Sequence, residues 1–155
     1  MSEKILVSAC LLGYPVRYDG KSTPLKNLAW LQQLQQQNRI VIICPEQEGG
    51  LPTPRDPAER QQDKVITITG QDVTQEFDIG AQKALDLCQQ HDIKIALLKA
   101  NSPSCGNQKI YNGQFNNTLI VGQGMTAELL SKHSIKVYSE LEIEQLMQAI
   151  KINRT

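Results

Sequence analysis

Short apolar runs punctuate this chain, separated by stretches whose apolar residues return every three or four positions. Ile5-Leu6-Val7-Ser8-Ala9, Arg39 to Cys44 and Lys94 to Leu98 are apolar without alternation, as expected of strands covered on both faces. Val65 to Thr69 alternates, with Val65, Thr67 and Thr69 on one side, and Ile135 to Tyr138 reads as a further strand. Between them lie helical patterns. Thr23-Pro24 is a good helix start, a hydroxyl N-cap followed by proline in the first turn, and that helix should run to about Asn38 with Leu28, Leu31 and Leu34 inward. A second runs from Asp72 or Thr74 to His91 on a stripe of Phe77, Ala81, Ala84, Leu85 and Cys88. A third covers Thr126 to about His133, and a last one opens at Ser139 with Glu142 three residues on, a capping box.

The remaining stretches read as loops. Pro45 to Glu59 holds four prolines and Gly49-Gly50, which excludes a regular element; a loop this long in a compact domain is usually functional. Ile110 to Val121 suggests a hairpin or two loose strands about Asn112-Gly113. Strands separated by helices predict parallel pairing with right-handed crossovers. The expected fold is α/β: a single three-layer domain over residues 1–155 with a mainly parallel sheet, an antiparallel hairpin at its edge, and last few residues that need not be ordered. Strand order is not readable.

Charge narrows the partners. Sixteen basic and sixteen acidic residues cancel, so no strong field exists to hold a polyanion by counterion release. A small substrate fits better than extended nucleic acid. No run approaches the ~18 apolar residues of a membrane span, and no signal-type hydrophobic segment is present. The expectation is a cytoplasmic protein without a membrane partner, where cysteines serve metals, catalysis or packing rather than disulfides.

Three of the four cysteines, Cys10, Cys44 and Cys105, stand where an apolar strand ends and a Pro- or Gly-marked loop begins. Ligands collect at the carboxyl ends of parallel strands, so parallel pairing would bring these sulfurs to one rim. Any one of them serves equally well as core filling; all three as fillers at such positions is the weaker account. Cys88, mid-helix among alanines and leucine, is a core residue. His91 and His133 lie near helix C-termini and read as caps, which leaves a structural zinc without a fourth ligand. Three thiolates with an open position suit a [4Fe–4S] cluster.

Around it the loops offer proton-handling groups. Glu46 follows Cys44 by two residues and should face the same mouth, either as a partly desolvated acid–base group or as a plain loop carboxylate that caps a backbone amide or pairs with Arg55; Glu48 is a weaker candidate. Ser102-Pro103-Ser104-Cys105-Gly106 can aim hydroxyl donors, or be ordinary turn chemistry. Arg17-Tyr18-Asp19-Gly20 either clamps a polar ring or forms a surface turn, and Lys99 and Asn101 are equally ambiguous.

As a set, Val7-Ser8-Ala9-Cys10-Leu11-Leu12-Gly13, Arg17-Tyr18-Asp19-Gly20, Cys44-Pro45-Glu46, Gly49-Gly50-Leu51-Pro52-Thr53-Pro54-Arg55, Gly70-Gln71-Asp72-Val73-Thr74 and Ser102-Pro103-Ser104-Cys105-Gly106 resemble a bacterial family. It is the one known as domain of unknown function 523, whose characterised branch is thiouracil desulfidase. The resemblance spans Ile5 to about Glu140. It implies an oxygen-sensitive, non-redox desulfidase that turns a 4-thiouracil-like base, nucleoside or nucleotide into uracil and hydrosulfide. It also implies a [4Fe–4S] cluster on Cys10, Cys44 and Cys105, with Glu46 and Ser102 as catalytic residues. Two other classes stay open: a cluster-free thiol enzyme with one activated cysteine, for which no well-placed histidine base is visible, and a non-catalytic metal- or nucleotide-binding module. A phosphate-cradling loop is missing, since Gly122-Gln123-Gly124 is too short.

Overall fold

The computed structural model describes residues 3–21, 25 and 27–150. Four strands form one parallel sheet: β1 (Ile5–Ser8), β2 (Ile40–Ile43), β5 (Ile95–Leu98) and β8 (Lys136–Ser139), in the order β2-β1-β5-β8. Helices α1 (Leu28–Gln36) and α5 (Ile143–Ala149) cover one face; α3 (Thr74–Gln90) and α4 (Met125–Lys132) cover the other. The alternation of β1 explains the sandwich. Leu6 joins Ala84, Leu85 and Cys88 of α3, whereas Ile5 and Val7 join Leu31 and Leu34 of α1. Each such buried aliphatic contributes about 1.5–3 kcal/mol of transfer free energy. The three-layer α/β expectation matches the structure, except that the expected antiparallel hairpin forms a separate ribbon instead of an edge of the main sheet.

Sheet order also follows from handedness. β1 crosses through α1 to β2 on one side, then the chain crosses back through α3 to β5 on the other side of β1. Right-handed crossovers in opposite directions must place α1 and α3 on opposite faces. The direction of winding therefore reverses between β1 and β5, and the crevice at their carboxyl ends is where such folds take ligands.

Several expectations are corrected. The Pro45–Glu59 stretch contains a one-turn helix, α2 (Pro45–Glu48), and the start of a strand, β3 (Ala58–Gln61). Pro45 occupies the first turn, where its missing N–H costs nothing. β3 pairs antiparallel with β4 (Lys64–Thr67), giving a ribbon with little core to fill, so its sequence stays polar. The second ribbon, β6 (Lys109–Tyr111) with β7 (Leu119–Val121), closes through a wide loop over 112–118 in place of a tight Asn-Gly turn. α1 is described from Leu28; the expected start at Thr23-Pro24 lies outside the described residues, as do the last residues, 151–155. The Ser139–Glu142 capping box is present, but it caps a single 3₁₀ turn that leads into α5. No helix among the described residues is long and apolar enough to cross a membrane.

Candidate active site

A cavity of about 770 Å³ opens at the carboxyl ends of β1, β2 and β5, and Cys10, Cys44, Cys105, Glu46, Ser102 and Lys99 all line it. The three strand-end cysteines thus converge, each delivered by its own strand. Cys88 stays apart, 1% exposed in the core beneath α3 and α4. His91 and His133 end α3 and α4, away from the cavity.

Cys44 is set by α2. Its main-chain carbonyl accepts from the Glu48 amide at 3.0 Å, and its thiol donates to the Val16 carbonyl at 3.8 Å. α2 can lie against α3 because two glycines meet there. A Cβ on Gly80 would come 1.9 Å from the Pro45 carbonyl oxygen, and one on Gly49 would come 1.9 Å from that of Glu76. Sequence reasoning read Gly49 only as a loop marker and overlooked Gly80, since a glycine within a helical pattern signals only lost propensity.

Glu46 points from the same turn into the cavity and is ion-paired with Arg55, whose Nε donates to Oε2 at 2.7 Å. The pairing with Arg55 that the sequence offered is present. Arg55 is itself fully occupied: Nη1 donates to Thr53 Oγ1 at 2.9 Å and Pro52 O at 3.2 Å, and Nη2 donates to Val16 O at 3.2 Å. Its side chain is 7% exposed. A planar guanidinium with five directed donors suits this task as a lysine would not. It ties the segments at 16–18 and 52–55 to the Glu46 carboxylate.

Ser102 Oγ accepts from the amides of Ser104 at 3.0 Å and Cys105 at 3.1 Å. Both lone pairs of the hydroxyl are thereby committed, and its remaining capacity is to donate. Gly106 and Gly124 compact this loop onto α4. A Cβ on Gly124 would sit 2.4 Å from the Ser104 carbonyl carbon, and Thr126 N donates to Ser104 O at 2.8 Å. The Gly-Gln-Gly stretch thus serves close packing.

Ser8 and Lys99 complete the floor. Ser8 Oγ donates to Cys105 Sγ at 3.7 Å and accepts from the Lys99 amide at 3.1 Å, while Lys99 Nζ pairs with Glu140 Oε2 at 3.0 Å. Arg17 and Tyr18 also line the cavity; Arg17 pairs with Asp19 at 3.2 Å in the turn.

Burial dominates the thiols. It pushes Cys10 up to about 11, with nearby Lys99 partly opposing, and Cys105 up to about 12, with Glu46 adding to the rise. Cys44 is also raised, again mainly by burial. Bare thiols here are neutral at physiological pH, the reverse of an activated nucleophile. Three thiolates can coexist in this space only against a strongly positive, soft centre. No three His, Cys, Asp or Glu side chains among the described residues are arranged to grip a single metal ion. Three thiols lining one cavity are nonetheless a donor set of the kind that holds an iron–sulfur cluster.

Comparison with known proteins adds to this geometry. A family model described as 2-thiouracil desulfurase matches residues 5–142. The chain is 37% identical over 153 residues to the Bacillus subtilis (strain 168) uncharacterized protein YbbK, covering 92% of this chain and 99% of that protein. A solved structure of the [4Fe-4S]-dependent thiouracil desulfidase TudS superposes with a TM-score of 0.91 at 53% identity, covering 95% of this chain and 97% of that one.

Proposed function

This chain belongs to the 2-thiouracil desulfurase family, and on that premise we propose that it hydrolyses the carbon–sulfur bond of a thiolated uracil, as free base, nucleoside or nucleotide. The products are uracil and hydrosulfide. Oxygen from water takes the place of sulfur on the ring carbon, and no electrons are gained or lost. Cys10, Cys44 and Cys105 would hold a [4Fe–4S] cluster. The observation that carries this reading is their convergence, from the ends of three adjacent strands, on one cavity shared with Glu46 and Ser102. When bound, the cluster supplies a soft Lewis acid for the thione sulfur.

The chain's own residues supply position and protons. Glu46, held by Arg55, is a carboxylate fixed at the mouth and able to accept a proton from the attacking water. Ser102, with its lone pairs occupied by two backbone amides, donates its hydroxyl proton toward the sulfur-bearing edge. The walls orient the ring so that these groups need not search for it. The free state of all four cysteines agrees with action in the reducing cytoplasm.

The test is anaerobic purification followed by iron and acid-labile sulfide analysis, with turnover followed as loss of the 4-thiouracil absorbance and release of sulfide. The expected result is one [4Fe–4S] cluster per chain and sulfide release matching uracil formed. Protein that turns over thiouracil without iron would refute the reading.

A further inference from the structure

Four of the chain's seven aromatic residues line the single cavity described above: Tyr18, Phe77, Tyr111 and Phe115. Phe77 belongs to the apolar cluster beneath α3 and is 2% exposed. Phe115, like Tyr18 and Tyr111, joins none of the three apolar clusters, and it lines the cavity from the 112–118 loop. Its backbone is left-handed, φ 55°, a conformation that bulky residues seldom adopt and that costs free energy unless the surroundings enforce it.

The surroundings do enforce it. Glu59 Oε1, on β3, accepts from the amides of both Gly113 at 2.9 Å and Phe115 at 3.1 Å. Gln61 Nε2 donates to Gly113 O at 2.8 Å. Gly113 itself lies at φ +89°, and a Cβ there would come 2.7 Å from the Gln61 side chain. One ribbon thus clamps the loop of the other, with charge-assisted bonds, into a conformation that packing of the fold does not use. A strained, half-buried phenyl ring held at a cavity wall is explained by a planar ligand.

We propose that Phe115 stacks on the face of the substrate's pyrimidine ring and that Glu59 is the residue that positions it. This rests on the desulfidase reading above. Stacking of a base on an aromatic side chain is tolerant of substituents, because every base presents a π face, so this contact selects for a flat heteroaromatic ring while the sulfur is read deeper in the cavity. Glu59 also lines the cavity, and its proposed role is to hold the loop.

The experiment uses anaerobically prepared, cluster-loaded protein. KM for 4-thiouracil is measured by turnover, and affinity for uracil, which does not react, by calorimetry. Phe115→Ala and Phe115→Leu should each raise KM and weaken uracil binding roughly ten- to hundredfold, with a much smaller fall in kcat; Phe115→Tyr should restore both. Glu59→Ala should raise KM similarly, Glu59→Gln, which keeps a carbonyl acceptor, should restore most of the loss, and the double variant Glu59→Ala with Phe115→Ala should be no worse than Phe115→Ala alone. Unchanged KM and uracil affinity in Phe115→Leu, or additive losses in the double variant, would overturn the stacking role while leaving the desulfidase reading intact. Cluster-loaded wild-type protein that neither consumes thiouracil nor binds uracil would remove both.

Discussion

Replacing Gly80 with alanine should cripple the site from outside it. Gly80 lies in α3, buried against α2, the turn that carries Glu46 and follows Cys44. The added Cβ would sit 1.9 Å from the Pro45 carbonyl oxygen, so α2 and α3 must part by about 1.1 Å even to reach a tight 3.0 Å contact. Helix propensity argues the other way, since alanine improves on glycine by about 1 kcal/mol in a helix interior. Overpacking costs about 1–3 kcal/mol; with main chain as the obstacle the upper half of that range applies, about 2–3 kcal/mol, so the clash wins with a net loss of about 1–2 kcal/mol. A displacement near 1 Å at a catalytic group can cost about a hundredfold in rate, far more than the stability change implies. Urea unfolding followed by circular dichroism should show a midpoint lowered by roughly 0.5–1 M, while iron content or sulfide release falls much more steeply. A Gly80→Ala protein with wild-type midpoint, iron content and turnover would show that the glycine contact does not set the position of α2.

Other outcomes follow from the same geometry. Cys10→Ala, Cys44→Ala and Cys105→Ala should each abolish cluster incorporation, read as iron and sulfide per chain, whereas Cys88→Ala should keep the cluster at the cost of about 1–2 kcal/mol of core packing. Glu46→Ala and Ser102→Ala should retain the brown chromophore and lose most turnover, on the order of 10²–10⁴-fold for a group that moves a proton. In cluster-free protein, burial raises the pKa of Cys10 to about 11 and of Cys105 to about 12. The folded state therefore binds protons more tightly than the unfolded chain; this stabilisation is complete below about pH 9 and is lost as pH climbs through 11–12. Urea midpoints of the cluster-free protein should fall between pH 9 and 11, and Cys105→Ala should flatten that slope; a midpoint independent of pH in this range would contradict the burial of the thiols.

The parallel sheet was legible because β1, β2 and β5 are continuous apolar runs; two-sided burial accounts for β1 and most of β5, whereas β2, at the sheet edge, is only half-buried over Ile40, Val41 and Ile42. The convergence of Cys10, Cys44 and Cys105 followed from the parallel pairing. What stayed hidden is where tertiary contacts override local signals. β3 reads Ala-Glu-Arg-Gln, which has no strand periodicity, because Glu59 and Gln61 serve a neighbouring loop rather than a core. Pro45 begins a helix in a stretch whose prolines suggest none. Gly49 and Gly80 matter through a clash that only the packed helices reveal. Arg55 was visible only as one partner for Glu46; that it also spans two loops depends on carbonyls far away in the chain, such as Val16 O.

The order β2-β1-β5 places three thiols side by side that lie far apart in the chain. On the proposed ligand set, a nascent polypeptide cannot capture its inorganic cargo piecemeal, because the last sulfur emerges only after most of the domain has been synthesised. Loading therefore needs β1, β2 and β5 brought together, so binding of the cofactor is coupled to assembly of the sheet.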